Sequence, residues 1–427
     1  MAVRSPKTRL LSADVLIVGG GPVGGTLACA LSAAGMEVIA VDHADPAAGL
    51  DAGFDGRASS IALGSQRMLD ALGLWAGMEP HAAPIRHIRV SEGESPLFLH
   101  YDERDTGGPP FGYMVENRFI RKALFDRIPT LDTVRLLAPA RVDGLERSPS
   151  GVEARLADGR RISARLVVGA DGRASGVRAG AGIRVTGWPY RQTAIVCTVA
   201  HERPHDSVAR EHFLPTGPFA VLPLPGNRSS IVWTESKDLA PAIMALDEDE
   251  FLAELERRLG VAEAAFEFLA ELERRFGDTL GRLTVVGPRW SYPLSLQHAE
   301  TAIALRLALV GDAAHAMHPI AGQGLNMGLR DAAALTEVLA EARRLGLDIG
   351  ADTVLERFQR WRRFDNTLML AMTDGLNRLF SNTIGPVRLA RGLGLAAVNR
   401  MPPLKRLIVR SAMGLAGRLP RLMQGAP

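Results

Sequence analysis

The period of apolar and polar positions changes several times along the chain, and each change marks an element. Residues 14–18 form a short apolar, β-branched run that ends at a glycine cluster. Residues 26–34 are rich in Ala and Leu, which predicts a helix able to pack closely on a sheet. Gly35 ends it, and residues 37–41 are a second apolar strand. A β–turn–α–β unit of about thirty residues opens a parallel α/β sheet. Residues 152–156 and 161–170 flank Asp158-Gly159, a hairpin signal. Residues 194–199 and 229–234 read as strands around the Pro/Gly-rich stretch 214–226. Residues 247–276 have helical period and dense charge, 306–310 read as a buried strand, and 324–345 as a long helix. The expected architecture is an α/β domain with an inserted β-rich region.

Length and composition narrow the class. The chain has 427 residues, more than one compact core usually holds, so one large or two interleaved domains are expected. With 47% hydrophobic and 23% charged residues it is neither disordered nor collagen-like. Cys29 and Cys197 cannot build a disulfide framework, and neither lies in a Cys-x-x-Cys pair, so a zinc ribbon is disfavoured and the cytoplasm is the default compartment. The 22 uncharged residues between Asp14 and Glu37 are long enough to suggest a membrane span, but Gly19, Gly20, Gly21, Gly24 and Gly25 sit among them. No small-residue cleavage site follows a compact apolar block, which disfavours a signal peptide.

Charge is uneven. The net charge of +3 is too small for a nucleic-acid polyelectrolyte. Yet no acidic residue follows Asp374, whereas nine basic ones run from Arg378 to Arg421, leaving −6 on the rest. No aromatic residue follows Phe380 to stack on bases, so nucleic acid is not the expected partner of this basic end.

Three constellations carry chemistry. The first is Gly19-x-Gly21-x-x-Gly24, with Asp42 at the end of the next strand. Bare backbone there can approach a pyrophosphate at a helix N-terminus, and the carboxylate can accept from an adenosine ribose. The pattern alone does not choose FAD over NAD. The second is an apolar strand ending in Asp171-Gly172-Arg173, with Ser175 and Arg178 following, which taken alone reads as an ordinary strand-to-turn connection. The third runs from Gly311-Asp312 through His315, His318 and Pro319 to Gly322-Gln323-Gly324-Leu325-Asn326. Asp312, His315 and His318 raise a metal as an alternative, but Pro319 and the glycines break any helix that would align them, and no metal is expected. His201 and His205, around Pro204, read as surface residues.

In this order and spacing the three motifs resemble the class A flavoprotein monooxygenases, specifically the ubiquinone-biosynthesis ring hydroxylases of the UbiH/UbiF/VisC type. Supporting matches are Phe54-Asp-Gly-Arg57-Ala, which leans toward the UbiH branch, Tyr113-Met-Val-Glu-Asn117, Gly217-Pro-Phe-Ala-Val-Leu-Pro223, Val232-Trp233 and Tyr292-Pro-Leu. The resemblance spans about residues 12 to 420.

The resemblance implies a Rossmann-like FAD-binding domain of the para-hydroxybenzoate hydroxylase fold (12–75, 103–183 and 291–385), an interleaved β-sheet substrate domain (76–102 and 184–290) and a basic C-terminal helical tail (386–427). It implies non-covalent FAD, with Gly19, Gly21, Gly24 and Asp42 at the ADP half. Arg57 would lie near the flavin or pyrophosphate, Asp171 at the pyrophosphate and NAD(P)H passage, and Gly311 and Asp312 at the ribityl chain. Pro319 and the turn Gly322, Gly324, Leu325, Asn326 would line the isoalloxazine ring. The implied reaction uses NAD(P)H and O2 to hydroxylate a polyprenyl phenol, the 2-polyprenyl-6-methoxyphenol type being favoured. Competing readings are a flavin dehydrogenase or prenyl reductase on the same fold, and a non-catalytic flavin-binding scaffold. No catalytic base is nominated. In the tail, Leu407, Ile408 and Leu415 are expected to share one helix face, with Arg406 and Arg410 together at i, i+4 on another. It either docks on the acidic body or makes peripheral contact with anionic lipid at the inner membrane face or with a partner enzyme.

Overall fold

The computed structural model describes residues 10–50, 56–92, 98–270, 280–381, 391, 394, 398 and 400–426. Leu10–Val18 (β1), Pro22–Ala33 (α1) and Val38–Val41 (β2) make the opening unit. Ala58–Ala62 (β3) and Leu63–Ala71 (α2) follow, then Ala82–Ile85 (β4), His87–Glu92 (β5), Phe98–Asp102 (β6) and Gly112–Glu116 (β7). Asn117–Arg127 (α3) leads to Val134–Leu137 (β8), Val142–Ser148 (β9), Gly151–Leu156 (β10) and Arg161–Gly169 (β11). The last two are the expected hairpin, with Gly159 at φ +89 in its turn. A parallel core sheet runs β18-β11-β1-β2-β8 once Leu307–Leu309 (β18) returns to it, and Ile303–Ala304 (β17) adds an antiparallel edge. Alternation assigns its faces. Val15 and Ile17 join the core under α1, while Leu16 packs with Val167 and Leu309 on the other side.

The inserted region is a second sheet. After Gly176–Gly180 (α4) come Val185–His201 (β12), Val208–Leu214 (β13), Gly217–Leu224 (β14) and Arg228–Ser236 (β15), then Ala240–Ala245 (α5), Glu248–Ala270 (α6) and Leu283–Ala299 (β16). Its order is β19-β16-β12-β15-β14-β13-β5-β6, where His315–Ala316 (β19) arrives from the Gly311 motif itself. Asp247 caps α6: its Oδ1 accepts from the Glu250 N–H at 2.8 Å, and its own N–H donates to Glu250 at 3.3 Å. The helix is described to Ala270; residues 271–276 of the expected helix lie outside the described residues. The sequence division at residue 290 falls inside β16, because the ladder to β12 continues through Trp188↔Leu296 to Val185↔Ala299. In the 76–102 segment β5 and β6 join this sheet, but β4 pairs with β7 in a separate three-stranded sheet.

Gln323–Arg344 (α7) packs on α1, and Asp352–Phe380 (α8) on α7. The tail helix Pro402–Ala412 (α9) docks. Its inner face is Ile408, Val409 and Met413, and Leu422 and Met423 beyond it enter the main core. Leu407 departs from its expected face: it is 63% exposed, beside Arg406 and Arg410. The inward stripe repeats at 405, 408–409 and 412–413, one position out of phase with Leu407. Cys29 and Cys197 are buried in different cores, and burial pushes their thiols up to about 11 and about 12.

Candidate functional site

All three motifs leave the carboxyl ends of neighbouring parallel strands, where ligands bind in open α/β sheets. Glycine is required there by contact. A Cβ on Gly24 would lie 1.9 Å from the Gly19 carbonyl oxygen, and one on Gly19, itself at φ +106, 2.3 Å from that of Ala170. A Cβ on Gly21 meets nothing within 4 Å. α1 has no side-chain cap, and its N-terminus at Pro22 and Val23 borders the open space beside Gly21.

A cavity of about 1250 Å³ begins at these turns. The thirteen candidate residues divide into two layers around it. Gly21, Arg57, Asp312, Pro319, Gly322, Gly324 and Leu325 line it. The other six stand behind the wall and hold the lining turns in shape. Gly19 and Gly24 make the close crossing already described. Asp42 accepts from the Gly20 N–H at 2.6 Å and the Ala44 N–H at 2.8 Å, bracing the glycine turn. Asp171 accepts from Ser175 Oγ at 2.5 Å and the Val177 N–H at 3.1 Å, bracing Ser175, whose Oγ caps α4 by accepting from the Arg178 N–H at 2.9 Å. Gly311, at φ +59, packs on Val23 of α1. Asn326 ties β3 to the last turn, donating to Ser60 O at 2.7 Å and Gly322 O at 3.0 Å and accepting from the Ala62 N–H at 2.9 Å.

Other residues join the motifs to each other. Arg178, buried, donates to the Ala313 carbonyl at 2.8 Å and to that of Arg173 at 2.9 Å, coupling the second motif to the third. The Arg57 guanidinium lies 4.9 Å over the Tyr292 ring. His315 and His318 diverge from Asp312, which is exposed to the cavity. His315 pairs with Asp331, and His318 packs edge-on to Tyr190 at 5.3 Å. Among the described residues these three do not form a group whose ligand atoms come close enough to share an ion. His201 is buried, against expectation, because Arg203 O and Ser229 Oγ satisfy its ring at 2.6 and 3.0 Å.

Beyond the motifs the cavity runs along the inserted sheet, whose period-two alternation separates two faces. Ala194, Val196, Pro218, Ala220, Leu222, Val232 and Thr234 look into it. Their neighbours Ile195, Cys197, Phe219, Val221, Ile231 and Trp233 pack instead with Phe251 and Leu255 of α6. The far end is apolar, closed by Ile85, Leu99, Phe111 and Met114 with Ile408 and Ala412 of α9. Sequence reasoning missed these contributions from β4, β6 and α9. Burial in this wall pushes the Tyr101 phenol up to about 12, so it stays protonated.

These residues fit FAD. The uncapped helix starts supply N–H donors, the open Gly21 and Gly324 positions supply bare backbone, and the cavity-facing Asp312 supplies an acceptor, the set a dinucleotide requires. Comparisons with known proteins agree. The family described as FAD binding domain matches residues 12–356. Ubiquinone hydroxylase UbiL of Rhodospirillum rubrum is 57% identical, across 97% of this chain and 93% of that protein. The Escherichia coli 3-demethoxyubiquinol 3-hydroxylase is 37% identical across 94% and 98%. Among solved structures, p-nitrophenol 4-monooxygenase PnpA of Pseudomonas putida has the same fold, with TM-score 0.74 at 20% identity over 96% of this chain and 99% of that one. With its motifs, fold and relatives in agreement, the chain belongs to the FAD-dependent monooxygenase family, alongside the ubiquinone hydroxylases.

Proposed function

We propose that the cavity joins a flavin site at the three motifs to a tunnel for a polyprenyl tail, and that the protein hydroxylates the ring of a polyprenyl phenol in ubiquinone biosynthesis. FAD, reduced by NAD(P)H, supplies the oxygen-activating chemistry when bound. In this reading the α1 N-terminus beside Gly21 receives the pyrophosphate, with the frame of Gly19, Gly24 and Asp42 behind it. Asp312 accepts from a ribityl hydroxyl, and Arg57 lies at the flavin edge. Pro319, Gly322, Gly324 and Leu325 border the isoalloxazine ring. With FAD bound, the uncapped N–H groups at the start of α7 would stabilise negative charge on the flavin. The apolar walls orient the phenol and exclude water.

One observation carries the reading: a single cavity holds both the motif turns and an apolar end lined by Ile85, Leu99, Leu222 and Ile408. Burial of each methylene there stabilises binding by about 0.8 kcal/mol, which favours a long prenyl chain. The exposed basic side of α9, with Arg406 and Arg410, suits contact with anionic lipid at the cytoplasmic face of the membrane or with a partner enzyme. Among the described residues no helix is long and apolar enough to cross a membrane.

The test is product analysis under isotopically labelled O2, with purified holoenzyme, NAD(P)H and a prenylated phenol. One labelled oxygen atom per product is expected. Hydride transfer with unlabelled product would make it a dehydrogenase or reductase. Absence of phenol-stimulated NAD(P)H oxidation would make it a scaffold.

A further inference from the structure

The second half of α8 carries an apolar stripe on its outer side. Phe364, Leu368, Met372, Leu376 and Leu379 follow one another at three- and four-residue steps, and all are exposed, Phe364 at 71%. At that spacing they lie on one face, over a length of about 22 Å. From Arg363 to Leu379 the exposed positions of α8 carry no acidic side chain. Isolated exposed leucines need no explanation, but a continuous stripe does.

The stripe leads into the cavity. Met372, Leu376 and Leu379 belong both to the stripe and to the cavity lining, so the stripe runs into the cavity wall. Phe364 and Leu368 continue the apolar surface away from the cavity without lining it. Exposed cations lie on the same helix, Arg363 and Arg378, and others, Arg400, Arg406 and Arg410, lie on or just before α9, which walls the same cavity through Ile408 and Ala412.

We infer that this α8 stripe is a lipid-docking face that lies in an anionic bilayer surface and opens the cavity directly to it. The inference rests on the reading of the substrate as a prenylated phenol, and it adds the route by which that molecule leaves the bilayer. An apolar helix face bordered by arginines is the chemistry of an interfacial helix: the side chains enter the acyl boundary while the cations pair with headgroup phosphates. A tail moving from acyl chains past Phe364 and Leu368 to Met372 and Leu376 stays on apolar surface throughout, so it never crosses water.

The experiment uses FAD-loaded full-length protein and flotation with vesicles of phosphatidylcholine, with and without phosphatidylglycerol. Wild type is expected to float with the anionic vesicles and less with neutral ones. The double variant Phe364→Ser/Leu368→Ser is expected to bind about tenfold or more weakly, since two apolar side chains no longer enter the bilayer. Its turnover of a short-chain phenol in detergent should stay within about twofold of wild type, because surface positions away from the site are near neutral. Vesicle binding that is equal in both proteins, or absent in wild type, overturns the inference. So does a wild-type dimer that the substitutions break without any vesicle binding, which would make the stripe a contact between copies. If wild type docks and the variant does not, yet neither hydroxylates a prenylated phenol in detergent, docking stands and the substrate reading fails.

Discussion

The Asp331 carboxylate accepts a hydrogen bond from the Gly311 backbone N–H at 3.1 Å, holding the turn that carries Asp312 from a helix twenty residues further along the chain. The same oxygen lies 2.5 Å from His315 Nε2, and the other accepts from Arg362 Nε at 2.8 Å, all within the interior. Burial alone would raise this carboxyl, but the His315 and Arg362 charges outweigh it and hold it well below the usual carboxylate range. Asp331→Ala leaves Arg362 buried beside a lost partner. We expect it to lower stability by about 3–5 kcal/mol and to loosen FAD, while Asp331→Asn does less. Denaturant unfolding and FAD titration of both variants measure this, and a wild-type unfolding midpoint in the alanine variant would refute the role.

Two glycines of the first motif should respond differently. Gly24→Ala forces a methyl into the Gly19 carbonyl, so it is expected to destabilise even the apoprotein, by about 1–3 kcal/mol or more. Gly21→Ala has open space, so the apoprotein should change by less than about 0.5 kcal/mol. FAD affinity should still fall, because the methyl projects where we place the pyrophosphate. Thermal melts with and without FAD separate the two. An unstable Gly21→Ala apoprotein would remove the distinction.

Asp312 faces the cavity rather than the core, so Asp312→Ala is expected to leave the apoprotein melting temperature unchanged. Loss of a charged acceptor for a ribityl hydroxyl weakens FAD by about 1.5–3 kcal/mol, roughly ten- to a hundredfold. Equilibrium dialysis of flavin checks this, and undiminished occupancy at limiting FAD would count against the assignment.

Acid should destabilise the fold through buried histidines. Burial lowers His212 and His318 to about 4, whereas an unfolded chain protonates near 6.5. The stability these neutral rings allow is complete above about pH 6.5 and is lost as pH falls toward about 4, at up to about 1.4 kcal/mol per pH unit for each. His212, which shares a 2.6 Å hydrogen bond with Ser91 Oγ, can be replaced by Asn. Unfolding free energy measured across that window should then fall less steeply by about one proton. An unchanged slope would mean that His212 does not titrate on unfolding.

What the sequence discloses depends on how local the physics is. The Gly19–Gly24 crossing is set within six residues, so its pattern is visible in one line of text. The alternation of Pro218, Ala220 and Leu222 against Phe219 and Val221 is equally local, although only the second sheet face says which set meets the cavity. Asp331 is different. It sits in an ordinary helical stretch, and its partners Gly311, His315 and Arg362 are 16 to 31 residues away, so no spacing announces it. The burial of His201 is hidden in the sequence for the same reason: its partner Ser229 belongs to a neighbouring strand.

The tail supplies the last prediction. Its charge suggests a separable extension, but its inner face makes it part of the cavity wall. Val409 and Met413 are buried against the apolar end, the Gly64 N–H donates to Met413 O at 3.0 Å, and Gln323 at the start of α7 donates to Ala412 O at 3.3 Å. Further on, Arg330 donates to Ala416 O at 2.6 Å, and Leu422 and Met423 fill the main core. Ending the chain at Met401 therefore removes core side chains, two of them against α2, as well as a wall. We expect such a chain to unfold at a lower temperature, to hold FAD less well and to lose selectivity for prenylated over tail-less phenols. Met413→Ala should reproduce part of this at about 2–5 kcal/mol, the range for truncating a buried methionine. Arg406→Gln/Arg410→Gln, on the exposed side, should leave melting and FAD content intact and weaken only salt-sensitive vesicle binding. If the shortened chain keeps wild-type melting, FAD content and tail selectivity, α9 is not a wall of the site, and its contribution is confined to the charges it presents outward.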